Sequence, residues 1–233
     1  MSTAPTAQAG RALDALNFFL ADVRDGLGPY LAIFLLTVHH WDEASIGTVM
    51  SVAAVIGILA QAPAGALVDR SDAKRTIVVA GAILVTVTSL LVPLVEGKYA
   101  IGALQSLSAV AAAVFPPAIA AVTLGIFKPK AFPRRMGRNE AFNHAGNAAA
   151  AMLAAILAYA FGPIVVFWLM AAMAVGTVCA TLAIPAGAID NRVARGLSPS
   201  DAEGKEKAAS WKAVLADRNL RIFRTQHDAV ARP

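Results

Sequence analysis

Residues 18–35 read FFLADVRDGLGPYLAIFL. Asp22, Arg24 and Asp25 stand at the centre of an otherwise apolar stretch, and Gly26, Gly28 and Pro29 follow at once. On a water-washed helix three charges are ordinary surface. In a helix that crosses a bilayer each costs at least about 2.5–3.5 kcal/mol, so it faces a bundle interior or an aqueous cavity. The meaning of the stretch therefore depends on the solvent around it.

Composition identifies that solvent. The 233 residues are 58% hydrophobic and 15% charged, and mean hydropathy is +0.62. Soluble domains lie nearer about 45–50% apolar and about 25% charged. A membrane span needs roughly 20 apolar residues. Six stretches supply them, at 13–38, 45–67, 76–95, 99–127, 141–161 and 163–185. Barrel strands would alternate over about ten residues. Unbroken runs instead predict helices, because lipid leaves the backbone to satisfy its own hydrogen bonds. The expected fold is an all-α membrane protein with six transmembrane helices.

Charge sets the expected orientation. One side carries Arg70, Lys74 and Arg75, then Lys128, Lys130, Arg134, Arg135 and Arg138, then a basic C-terminal tail. The other carries HHWDEA (39–44), EGK (96–98) and a short turn near Gly162, with Lys98 its one basic residue. Lys and Arg stay cytoplasmic, which predicts both termini on the cytoplasmic side; the expected location is a bacterial inner membrane. Topology thus accounts for the net charge of +5, and no nucleic-acid partner is expected. Residues 1–12 are polar, and the first span is too long and too charged for a signal core, so no cleavable signal is expected. The single Cys179 is expected as a small buried hydrophobe.

On a helical projection of the first span, Asp14, Asn17, Asp22, Arg24, Asp25 and Gly28 share one face, and the aromatic and aliphatic residues share the other. The glycines and the proline then loosen the helix just past the charges. Such breaks are tolerated at membrane depth where the backbone lines a cavity. The expectation is a polar cavity walled by this helix; a structural ion pair between helices is the alternative. The fifth span carries Glu140, Asn143, His144 and Asn147 on one face, continued by Ala151, Ala154 and Ala158. An imidazole can take up a proton within the physiological pH range, so His144 is a candidate to take a coupling proton.

The link between the second and third spans reads PAGALVDRSDAKR (63–75). It resembles the signature loop of the major facilitator superfamily, G-x-L-x-D-R-x-G-R-K. Gly65, Leu67, Asp69 and Arg70 match in order, Lys74 and Arg75 supply the basic end, and Asp72 and Ala73 depart from the pattern. FPRRMGRNEAF (132–142) occupies the matching place before the fifth span. The resemblance implies one half of that fold, an N-terminal six-helix bundle over 13–185 built from two three-helix repeats, 13–95 and 99–185. It also implies a cytoplasmic segment at 1–12 and a cytoplasmic loop and tail at 186–233. In the family the loop latches two halves together, and its opening accompanies alternating access.

The implied function is secondary transport of a small solute, coupled to protons, with no enzymatic activity, no cofactor and no metal. Asn17, Asp22, Arg24, Asp25, Gln105, Glu140, Asn143, His144 and Asn147 are the candidate solute and proton pathway. The fourth span has no Arg, and Gln105 is its nearest long polar side chain. The G-x-x-x-G-P-x-x-G-G pattern of drug antiporters is absent from the fifth. Since the family has two such halves, the chain reads as a truncated N-terminal half. A half acting as a homodimer and a scaffold that transports nothing are the alternatives. HHWDE (39–43) lacks the grouped ligands of a metal site and reads as an interfacial anchor around Trp41. A protease dyad needs acids on different spans, and Asp22 and Asp25 share one. No G-x-S-x-G, H-E-x-x-H or phosphate-binding glycine loop is present.

Overall fold

The computed structural model describes the backbone of residues 3–25 and 27–196. Within them the chain is helical: α1 Thr3–Asp25, α2 Gly28–Thr37, α3 Glu43–Arg70, α4 Lys74–Leu91, α5 Lys98–Ala112, α6 Phe115–Phe161, α7 Val165–Ala183 and the short α8 Asn191–Ala194. The tail beyond residue 196, with its expected truncation, lies outside the described residues.

Among the described residues, four helical stretches are long and apolar enough to cross a membrane: Glu43–Arg70, Lys74–Leu94, Lys98–Phe161 and Val165–Ala183. The chain presents apolar residues outward in a way water would not tolerate. Leu59 is 70% exposed, Trp168 65% and Ile58 64%. Contiguous apolar exposure of this kind marks a lipid-facing or interaction surface. Cys179 belongs to that exposed set. The expectation that it is buried is therefore corrected: a weakly polar thiol on α7 is at ease against apolar surroundings as well as inside a core.

The first stretch differs from the expected single helix. It is two helices, α1 and α2. Leu27 between them adopts φ 52°, ψ −20°, a left-handed conformation that costs an L-residue roughly 1–2 kcal/mol, and Pro29 opens the new helix where its missing N–H is harmless. The fourth stretch is also interrupted, between α5 and α6, at Ala113 and Val114. α6 then runs through what the sequence suggested as a loop. It bends at Lys128, whose φ 63° and ψ 166° are non-helical. Pro129 follows and disfavours helical geometry at the residue before it. We call residues 115–127 and 129–161 its first and second limbs.

Packing is dense where small residues meet. α1 packs on α6 and α7, α5 on α3 and α4, and α4 on α7. Gly146 on the second limb of α6 lies against the Phe18 carbonyl and Ala21 of α1, so close that no Cβ fits. Gly176 of α7 sits under the Phe19 ring. Gly57 of α3 meets Ala109 of α5, and Gly81 of α4 meets Val114 and Phe115. Without a hydrophobic drive between helices in lipid, such close approach is how packing energy is gained.

Candidate functional site

A cavity of about 370 Å³ opens where α1 and α2 part, against α3, α5 and the start of α6. Arg24, the last base of α1, and Gly28, the first residue of α2, stand on its wall. Gln61 reaches it from α3, Gln105 and Ser108 from α5, and Pro116 from α6. Met50, Ala53, Ile58 and Ala109 make the remaining surface mostly apolar. Gln105 is 9% exposed, and its Nε2 has no hydrogen-bond partner among the described residues. Among the described residues no ion pair includes Arg24. Pro116 and Pro117 bring no N–H, so the carbonyls of Ala112 and Ala113 lose their helical donors at the same wall.

Of the candidate pathway residues, then, the structure brings Arg24 and Gln105 together on one cavity. Asp22 is half-buried on the same helix. Asp25 ends α1, and its side chain lies outside the described residues. Asn17 is buried and donates to the Leu13 carbonyl at 2.7 Å, within its own helix. Glu140 and His144 are exposed on the second limb of α6, with Asn143 and Asn147 half-buried beside them. These four do not line the cavity that holds Arg24.

A second ionic group joins α1 to α6 near the bend. Asp14 Oδ1 accepts from Arg135 Nη2 at 2.6 Å, and its Oδ2 accepts from Arg138 Nη2 at 2.7 Å. Arg135 also donates to the Gly10 carbonyl at 3.0 Å and lies over the Phe127 ring at 5.0 Å. Asp14 and Arg135 are both buried, whereas Arg138 is largely exposed. Asn139, buried beside them, donates to Thr123 Oγ1 at 2.8 Å. Sequence reading took Arg135 and Arg138 only as orientation signals. Their i, i+3 spacing on a helix was the available hint that both could reach one acid.

The signature loop is largely helical, since α3 continues to Arg70. Lys74 is buried and donates to the Ser71 carbonyl at 2.8 Å. Arg75 donates to the carbonyls of Thr181 and Leu182 at the end of α7, at 3.2 and 2.8 Å. Both lie among the last carbonyls of α7, which have no i+4 donor within the helix; the Thr181 carbonyl also accepts from Ile184 N at 3.3 Å. Asp72, at the position where the resembled loop has glycine, accepts from Arg195 at 2.6 Å. Among the described residues nothing lies within 4 Å of where a Cβ on Gly65 would stand, and Asp69 and Arg70 are exposed.

On the opposite side, Asp42 caps α3. It accepts from Ser45 N at 2.8 Å and Ser45 Oγ at 2.6 Å, with Lys98 at 3.4 Å. The Ser45 hydroxyl, then the Ser45 amide, hold its carboxyl down at about 2. His39 packs edge-on to Phe34 and Trp41.

Comparison with known proteins bears on these features. The Major Facilitator Superfamily model matches residues 13–226. Proteins described as uncharacterized MFS-type transporters, from Mycobacterium tuberculosis strains CDC 1551 and H37Rv, are each 54% identical over 216 residues. The match covers 93% of this chain and 52% of each relative, so the chain spans about half the length of the curated relatives it matches.

Proposed function

The chain belongs to the major facilitator superfamily, and on that premise we propose that it forms a six-span half of a proton-coupled secondary transporter for a small solute. The cavity at the α1–α2 break carries this reading. It joins a half-buried cation, Arg24, to a buried polar donor, Gln105, beside interrupted helices. Discontinuous helices of this kind build solute sites in transporters.

Packing supports two three-helix repeats at 13–95 and 99–185. Exchanging the first three segments for the last three carries the α3–α5 contact at Gly57 onto the α6–α1 contact at Gly146. It likewise carries the α4–α6 contact at Gly81 onto the α7–α1 contact at Gly176. Cytoplasmic termini follow from the Lys and Arg distribution. A second six-helix half completes the cavity, either in a longer chain or as a second copy. The open space at Gly65 and the exposed Asp69 and Arg70 are the surface it would latch.

Liposomes carrying the protein and an internal pH dye test the reading. Under an acid-outside gradient, at least one of a panel of carboxylates, amines and sugars is expected to drive proton entry. Arg24→Gln is expected to lower that flux about tenfold, the loss of one charged hydrogen bond. Absence of solute-driven flux across the panel would overturn transport and favour a scaffold.

A further inference from the structure

We infer that the cavity at the α1–α2 break is a site for a small organic anion, with its carboxylate held by Arg24 and Gln105 and its body against the apolar wall. This deepens the transport reading above and rests on it for the purpose of the binding.

Three independent features converge on an oxyanion. The first is Arg24, whose guanidinium presents five donors in a planar fork suited to a carboxylate. Its side chain is half-buried on the cavity wall, and among the described residues no acid is within ion-pair distance. The second is Gln105. A buried amide N–H without a partner is a rare and costly state, and the Gln105 Nε2, with none among the described residues, stands on the wall of the same cavity. A ligand oxygen relieves it. The third is the backbone. α2 begins at Gly28 on this wall, and the first turn of a helix favours negative charge. Among the described lining residues none is acidic.

The rest of the wall argues for an organic anion over an inorganic one. Met50, Ala53, Ile58 and Ala109 offer no hydrogen bonds to a fully hydrated ion. A cavity of about 370 Å³ also holds more than a carboxylate alone.

Binding is read by calorimetry on the full 233-residue chain in nanodiscs of uncharged lipid. The probes are benzoate, its neutral isostere benzamide, the cation benzylamine and inorganic phosphate. Benzoate is expected to bind at least about tenfold tighter than each of the others, the increment of a charge-assisted pair. Arg24→Gln removes that preference. Arg24→Lys, which keeps the charge and loses the fork, retains part of it. Gln105→Leu weakens benzoate about fivefold while leaving the unfolding midpoint in place. Benzoate binding that is absent, or no tighter than benzamide, benzylamine or phosphate, overturns the inference. So does unchanged benzoate binding in a folded Arg24→Gln chain. The two readings fail separately: benzoate binding without liposome flux removes transport and keeps the site, while flux carried by amines without benzoate binding removes the site and keeps transport.

Discussion

Asp14 shows how far a single side chain reaches in this protein. Its carboxylate satisfies Arg135, which is buried, and Arg138, which is not. Breaking a buried pair from one side leaves the other charge uncompensated, at about 3–5 kcal/mol. Asp14→Asn is therefore expected to lower the unfolding midpoint in detergent sharply. Arg138→Gln removes only a solvent-screened contact and is expected to shift it little. Equal shifts for the two would show that burial does not govern the cluster. Asp42 gives a pH dependence of known sign. Its carboxyl is held near 2, below its ordinary 3.8. A depressed folded value means the α3 cap contributes above the ordinary carboxylate range and is lost as pH falls from about 3.8 through about 2. The thermal midpoint is expected to fall over that window, and Asp42→Ala should lower it at neutral pH and flatten this part of the profile. Asp14 was readable as a polar-face residue, but its partners lie over a hundred positions away, and no local pattern names them.

Among the helices, what periodicity resolved and what it did not have different causes. Apolar runs located α3, α4 and α7 because lipid demands a minimum length of apolar helix. The breaks were harder. Gly26, Gly28 and Pro29 announced the interruption between α1 and α2, since each disfavours a helix interior. The bend at Lys128 was masked, because 129–142 is polar and reads as a loop until α6 is seen to carry it as helix. Contact between helices follows the glycines. Gly146→Val would place a branched side chain where the Phe18 carbonyl already stands. Overpacking of this kind costs about 1–3 kcal/mol, so the variant is expected to lose monodispersity on size exclusion and to unfold at lower temperature. A midpoint matching wild type would mean α1 and α6 are not in contact there.

For the bundle, the decisive feature is what remains uncovered. α3 turns much of its surface outward, with Val52, Val55, Ile58 and Leu59 exposed. A Cβ at Gly65 on the same helix would meet nothing among the described residues. A substitution there touches no contact among the described residues, so Gly65→Val is expected to shift stability by no more than about 0.5 kcal/mol. If the face latches a second half, the same substitution blocks close approach and abolishes liposome flux with the fold intact. Flux at the wild-type rate would remove the latch from this helix. Membrane residence, helical class and family were already legible in the amino-acid order. Hydropathy and the G-x-L-x-D-R spacing are local, one-dimensional properties that lipid and short turns read directly. Arg24 and Gln105 were grouped from the sequence, but that they line one cavity without the polar face of α6, and that Asp14 pairs with Arg135, was not legible. Side chains some eighty to a hundred and twenty residues apart become neighbours only when close backbone contacts set helix order and rotation, and that is decided by three-dimensional packing.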